Sequence, residues 1–347
     1  MISAGDLSRV HPLRRRLGGL LLALAGALVL AAVAEQWLEA RDVRQLAPAE
    51  TYVAAGGAKV RYRLEGAERP GPAVVLINGM GGSLEQWHSL QSDVASFAPA
   101  LTYDRGGLGL SRGSKAHDGN EQADELASVL TQLAIKGPAV LVGYSTSASI
   151  ARIFASRYPE RVAGMLLLEP NLPEMNGRIS GRHDPLRTYY RPLLQDTITS
   201  LFGMRRLSSR IAEWRGRFVL RTEQERKAHA VLLRFSHWWA VDREWMQVGP
   251  ITRQVLEAKL PRSIPLLIYT EDLRERNPAI ELYEQLVRDL VAGSEAGGLR
   301  SFGEGTPHGE ILEDPRTRQL IDGAIRELTD RVRYPESSRL EASRRRP

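Results

Sequence analysis

A hydroxyl, a set of histidines and several carboxylates stand at the ends of apolar runs, and these are the residues of this chain with chemistry to offer. Ser145 lies in Val140-Leu141-Val142-Gly143-Tyr144-Ser145-Thr146-Ser147-Ala148-Ser149-Ile150, where an apolar run meets a Gly-x-Ser turn and small, helix-compatible residues follow. That order predicts a strand, a sharp turn presenting an exposed hydroxyl, then a helix. A serine hydroxyl is a poor nucleophile at neutral pH and needs a base to take its proton. The stretch Asn78-Gly79-Met80-Gly81-Gly82 follows a second apolar run, and its glycines permit close backbone approach. A further Gly-rich stretch, Asp104 to Ser111, lacks the Gly-Lys-Ser/Thr of a phosphate loop and fails the dinucleotide spacing. The sequence contains no cysteine, which excludes disulfides, a thiol nucleophile and thiolate metal sites. No His and carboxylate spacing suits a metal, so the reading has no cofactor and no metal.

The elements that must position these groups follow from hydrophobic patterning. Residues 52–55 and 59–64 alternate around Gly56-Gly57 and predict a β-hairpin. Residues 73–77 form a continuous apolar run, as in a strand buried on both faces. Ser83 then stands where it could cap a helix over 84–96, with Trp87 and Leu90 facing inward. Strand 98–103, helix 120–135, strand 138–144, a helix to 158 and strand 162–168 follow in alternation. Such alternation predicts βαβ units and a doubly wound, mostly parallel α/β sheet. Residues 171–261 hold no buried-strand run and predict an inserted, mainly helical cap. The pattern resumes with strand 264–270, a helix over 279–292, a short strand at 299–302, and a final helix over 315–333. The core thus comprises 51–170 and 262–333, with a disordered basic tail over 334–347.

With these pieces placed, the chain resembles the α/β-hydrolase superfamily, most closely its exported or membrane-anchored serine-hydrolase members. The likeness rests on Asn78-Gly79 after a buried strand, on Asp104-Arg105-Gly106-Gly107-Leu108-Gly109-Leu110-Ser111, on Gly143-Tyr144-Ser145, and on His308 followed by Glu313-Asp314-Pro315. It covers about residues 51–333 and is faint in the cap. The resemblance implies that Ser145 is the nucleophile at a nucleophile elbow and His308 the base, in the chain order Ser, acid, His. It implies an oxyanion hole from the backbone N–H groups of Met80 and Thr146, with Asn78 and Gly79 supporting that loop. The acid is open among three residues. Asp272, after strand 264–270, fits the expected turn best; Glu271 adjoins it, and Glu169 lies after the earlier strand 162–168. Four positions depart from the pattern: Ser147, Pro307 and Thr270 stand where glycine is usual, and Asn78 where histidine is frequent.

Residues 17–34 are entirely apolar. At about 1.5 Å per residue the run nearly crosses a hydrocarbon layer of about 30 Å. Arg14, Arg15 and Arg16 precede it while Glu35, Glu39 and Asp42 follow, so charge bias puts residues 1–16 in the cytoplasm and the catalytic domain outside. Ala32-Val33-Ala34 also resembles a signal-peptidase site, so a retained anchor and a cleaved export signal both stand. Residues 35–50 read as a polar tether. The net charge of +6 is concentrated in the two ends, with Arg344, Arg345 and Arg346 near the last residue. No nucleic-acid partner follows from it, and no obligate protein partner is evident. In the cap, Trp214, Trp238 and Trp239 could line an acyl pocket, and Arg205, Arg206, Arg210, Arg215 and Arg217 could meet an anionic surface, though a solvated helix face is the plainer reading of the arginines. The expectation is an ester hydrolase acting on a small-molecule or lipid-like substrate. The alternatives are an exported aminopeptidase-like enzyme, a cofactor-free haloperoxidase-like enzyme, and a catalytically silent membrane-tethered binding protein.

Overall fold

The computed structural model describes residues 4–46, 51–113, 117–175, 191–272 and 277–334. Eight strands form one sheet in the order β1-β2-β4-β3-β5-β6-β7-β8: Tyr52–Ala55 (β1), Ala58–Glu65 (β2), Val74–Ile77 (β3), Ala100–Tyr103 (β4), Ala139–Tyr144 (β5), Val162–Leu168 (β6), Leu266–Thr270 (β7) and Gly297–Ser301 (β8). β2 pairs antiparallel with both β1 and β4; every other pairing is parallel. The continuous apolar runs became the middle of this sheet, because β3, β4 and β5 are buried at every position. On one face lie Gly119–Gln132 (α3), Ser147–Arg157 (α4) and Pro278–Ala292 (α10), burying Leu126, Phe154 and Val287 against the strands. On the other lie His88–Ala95 (α2) and Pro315–Arg333 (α11), burying Leu90, Val94, Ile321 and Leu328. This is the doubly wound, mostly parallel α/β sheet that the residue pattern predicted, and it has the α/β-hydrolase architecture that the resemblance implied.

The helix expected over 84–96 is divided. Leu84–Trp87 is a 3-10 turn and α2 begins only at His88. Ser83 makes no capping hydrogen bond; the Leu84 N–H instead donates to Asp104 Oδ1 at 2.7 Å. Asp104 is fully buried and also accepts the Leu110 N–H at 2.9 Å. Burial raises its pKa, against which Arg61 at 3.6 Å works. A Cβ at Gly109 would fall 2.1 Å from the Asp104 carboxyl carbon, and Gly109 has φ +57, so only glycine fits that turn.

The cap comprises Arg191–Leu201 (α5), Met204–Trp214 (α6), Glu223–Leu233 (α7), Phe235–Met246 (α8) and Val248–Glu257 (α9). Its α8 docks on the core: His237 Nδ1 accepts the Gly109 N–H at 3.1 Å, and Val241 lies against Gly81. His237 is wholly buried, which lowers its pKa to about 3 and keeps the ring neutral.

Of the segment read as a polar tether, residues 35–46 are helical, and residues 47–50 lie outside the described residues. One helix, Ala4–Leu46 (α1), runs without a break through the apolar stretch and twelve residues beyond Ala34. Its stretch from Arg16 to Leu46 is long and apolar enough to cross a membrane, and none of its most apolar window is buried. The segment after Ala34 is fixed to the cap. Arg206 of α6 pairs with Glu35 at 2.8 Å and with Asp42 at 2.9 Å, and the Ser236 N–H donates to Glu39 Oε1 at 3.0 Å. Polar residues at 35, 39 and 42 face one partner surface, so the segment has a pattern of ion-pair positions in place of an apolar one. The tail over 335–347 and cap residues 176–190 lie outside the described residues.

Candidate active site

Every candidate group sits at the carboxyl end of a parallel strand or in the loop that follows it. The strand order turns at β3, whose successors β4 and β5 lie on opposite sides of it. Loops leaving β3 and β5 therefore diverge and leave a crevice, where open α/β sheets place ligands.

Ser145 follows β5 in a left-handed conformation, φ +57, which for a non-glycine residue costs about 1–2 kcal/mol. The surroundings hold it there. Its N–H donates to Leu168 O at 3.0 Å, and its carbonyl accepts the Asn171 N–H at 3.1 Å and the Ala148 N–H at 3.2 Å. A Cβ on Gly143 would lie 3.2 Å from the Ala148 backbone, so the glycine before the serine is what lets α4 start so close to β5. Ser147, standing where a second glycine is usual, is buried and fully engaged: its Oγ accepts the Tyr144 N–H at 2.8 Å and lies 2.7 Å from Ile77 O, a carbonyl to which it can donate. The hydroxyl thus ties the end of β3 to the end of β5.

His308 opens a 3-10 turn, His308–Glu310, closed by the Glu310 N–H on Pro307 O at 2.8 Å. Pro307 has φ −57, the value its ring imposes, so the departure from glycine requires no distortion. His308 Nδ1 lies 2.9 Å from Glu169 Oε2. The expected pairing with Asp272 is not formed. Asp272 is exposed, its N–H donates to Gly303 O at 3.3 Å, and the residue lines a cavity with α10 and β8. Glu271 contributes its backbone instead, its N–H donating to Glu169 Oε1 at 2.6 Å, while its own carboxylate accepts the Gly305 N–H at 3.2 Å. Glu169 has φ +43, a turn out of β6 that places the side chain between β7 and the His308 loop. Both its oxygens are therefore engaged. A neutral imidazole that donates Nδ1–H to this carboxylate leaves the Nε2 lone pair free to accept a proton. The Tyr144 ring stacks on His308 at 4.9 Å and its hydroxyl donates to the His308 carbonyl. Burial, reinforced by Glu169, pushes the Tyr144 pKa up to about 12, so it remains a donor. No hydrogen bond joins Ser145 Oγ to His308 among the described residues; the two are adjacent through Tyr144.

Met80 and Thr146 line one small cavity of about 40 Å³ beside Ser147, Ile150, Asn171 and the cap residues Glu244 and Val248. Among the described residues neither the Met80 N–H nor the Thr146 N–H has a hydrogen-bond partner. Gly79 lets this loop approach: a Cβ there would lie 3.2 Å from Ser145 Cβ. Asn78 is buried and pins the loop by donating to Tyr103 O at 3.2 Å.

Arg105 was not singled out by the sequence, though an arginine two residues past a buried strand end is a signal that could have found it. It is buried, donates to Asn78 O and, at 3.1 Å, to Gly79 O, and pairs with Glu244 of α8. In a trans peptide the C=O and the following N–H point in opposite directions. By fixing Gly79 C=O, Arg105 fixes where the Met80 N–H points. The cap tryptophans are elsewhere. Trp214 is 84% exposed, Trp239 borders a separate cavity against α1, and Trp238 donates to Leu232 O at 2.8 Å, so none lines the cavity beside Ser145.

A family model for the alpha/beta hydrolase fold matches residues 72–233. The uncharacterized protein YqjL of Bacillus subtilis is 35% identical over 29% of this chain and 41% of its own length. The uncharacterized hydrolase YraK of the same organism is 30% identical over 34% and 44% respectively. The matched region spans less than half the length of these curated relatives. Among solved structures, Cfl2 from Burkholderia cenocepacia is similar with a TM-score of 0.57 at 16% identity, over 80% of this chain and 94% of that one. A thermophilic esterase from Thermogutta terrifontis is similar with a TM-score of 0.52 at 19% identity, over 80% and 97%. At such identities the likeness speaks for the fold alone. Sheet order, strand-end residues and family match converge on one conclusion: the chain is an α/β-hydrolase-fold protein.

Proposed function

We propose that the chain is a membrane-anchored serine hydrolase that cleaves an ester-type bond through an acyl-enzyme, with Ser145 as nucleophile, His308 as general base and Glu169 as the acid that orients it. The observation that carries this reading is the Glu169–His308 contact of 2.9 Å at the same sheet end as a left-handed Ser145. Ser145 Oγ attacks the ester carbonyl carbon and its proton passes to His308 Nε2, while the carbonyl π pair moves onto oxygen. Unpartnered N–H groups at Met80 and Thr146 are suited to that oxyanion, and donors of this kind are worth about 10²–10³ in turnover each. Collapse breaks the ester C–O bond, and His308 returns the proton to the leaving alkoxide. A water deprotonated by His308 then releases the acid in the same two motions. The Ser145–His308 hydrogen bond forms when substrate fills the crevice, as catalytic hydrogen bonds commonly tighten on binding. Retention of α1 as an anchor accords with its unburied apolar length and with its fixed attachment to the cap.

Labelling of the full chain with a fluorophosphonate probe tests the reading. Wild type should label, while Ser145→Ala and His308→Ala should not, each with an unchanged melting temperature. Labelling that persists in Ser145→Ala, or none in folded wild type, would overturn it.

A further inference from the structure

A basic cavity lies away from Ser145, between α1 and the cap. Its volume is about 530 Å³, within the range of small-ligand sites. Arg44 of α1, Arg112 after β4, and Arg234 and Arg243 of α8 and its start line it, against one lining carboxylate, Glu39. Four cations against one anion leave a formal surplus of three positive charges. Glu39 accepts the Ser236 N–H, and its charge acts on Arg234 without a direct ion pair among the described residues. Arg234 is 5% exposed; it donates to Gly109 O and, at 2.8 Å, to Ser236 Oγ, and its buried Nε has no partner. Glu39 and Asp104 act on Arg234 only from beyond ion-pair distance, so a buried guanidinium has no directly paired carboxylate among the described residues, and an anion in this cavity would supply that contact.

The position of the cavity says where that anion comes from. Its α1 lining, Gln36 to Arg44, begins two residues past the apolar run. At about 1.5 Å per residue this is about 3–15 Å beyond the hydrocarbon edge, overlapping a headgroup layer about 5–7 Å deep. The cap turns an apolar stripe outward at the same place. Met204, Leu207, Ile211 and Trp214 of α6 are exposed at helical spacing, and a Cβ on Gly203, which caps that helix, would lie 3.2 Å from Glu35 Oε2.

We infer that this cavity binds the phosphate headgroup of an anionic membrane phospholipid, with Arg112, Arg234 and Arg243 as its cationic wall and Trp239 at its edge. The inference rests on the membrane-anchored reading. Its consequence is positional: α8, which lines the headgroup cavity through Ala240 and Arg243, lines the small cavity bounded by Met80 and Thr146 through Glu244.

The test uses the full chain in nanodiscs of phosphatidylcholine containing phosphatidylglycerol, released into mild detergent and weighed intact by native mass spectrometry. Wild type should retain phosphatidylglycerol about tenfold over phosphatidylcholine, and Arg112→Gln/Arg243→Gln should lose that preference with an unchanged melting temperature. Arg210→Gln, on α6 and outside the cavity, should keep it. Equal retention of the two lipids, or an unaltered preference in the double variant, would overturn the site. Displacement of the lipid by millimolar glycerol 1-phosphate would assign the cavity to soluble phosphate esters and overturn the lipid. Release of the chain from membranes by alkaline carbonate would overturn the anchored reading instead, so the two failures are distinguishable.

Discussion

At the scale of single residues, the site is set by which carboxylate reaches one ring nitrogen. Glu169 has both oxygens spoken for, one by His308 Nδ1 and one by the Glu271 N–H. Amidation keeps the shape but can present an N–H₂ to the ring, stabilising the wrong tautomer; the same change in a serine protease costs about 10⁴ in kcat. Glu169→Gln should therefore lower kcat by about 10³–10⁴ with KM little changed, whereas Asp272→Asn should stay within about twofold of wild type. Steady-state hydrolysis of a short-chain ester separates the two, and a larger loss in Asp272→Asn would move the acid back to β7. The candidates were legible as residue types because strand ends are legible, but the choice was not. It turns on the +43° φ of Glu169 and on the direction in which the chain leaves Thr270, and neither is encoded in strand order. Ser147 shows the converse. As a sequence it is a departure from glycine, while in the fold its hydroxyl ties Tyr144 N–H to Ile77 O. Ser147→Ala leaves both groups buried without that partner and should cost about 1–3 kcal/mol by urea unfolding.

Between the residue and the fold stand the elements that carry each group to its place. Strand positions were readable because continuous apolar runs in a two-sided sheet admit few alternatives, as with Val162–Leu168, found at its expected bounds. Turn chemistry was not, since the Leu84 N–H takes its acceptor from Asp104, twenty residues on, and not from Ser83. The same blindness hid the link from α8 through Glu244 and Arg105 to Gly79 C=O. Arg105→Lys keeps the charge but loses the forked geometry that grips two carbonyls and a carboxylate. It should lower kcat about 10–10²-fold through a misdirected Met80 N–H, with a smaller change in KM. An equal loss in fluorophosphonate labelling and ester turnover would fit; a pure KM effect would not. The docking of α8 should also be acid-sensitive. His237 has a folded pKa of about 3, far below the ordinary value near 6.5, so the unfolded chain takes up a proton that the folded one refuses. Stability from this group is fully present above about pH 6.5 and is lost as pH falls from there towards 3. Melting temperature between pH 7.5 and 5 should decline, and His237→Gln should flatten that decline.

For the whole molecule, the question is whether the long apolar helix α1 and the α/β body are joined by a leash or a strut. A polar segment after an apolar run reads as a leash when only hydrophobic periodicity is consulted. Residues 35–46 carry their information as charge spacing: Glu35, Glu39 and Asp42 recur at three and four residues, which puts them on one helical face. That face meets Arg206, whose side chain is 12% exposed and contacts Glu35 (1%) and Asp42 (18%) together. Removing one member of a buried pair strands the other without its counter-charge, at a cost of about 3–5 kcal/mol. Arg206→Met keeps most of the side-chain volume and removes the charge, so the full chain in detergent should melt several degrees lower with its helix content intact. It should also let protease into the segment around residue 46, which wild type should resist. A leash predicts neither effect, because a free segment has no partner to lose. The charge swap Arg206→Glu with Glu35→Arg then decides whether the ion pair or mere packing is responsible: recovery of the melting temperature in the double variant requires the pair, and its absence assigns the junction to packing of Val43 against Leu110 and Val231.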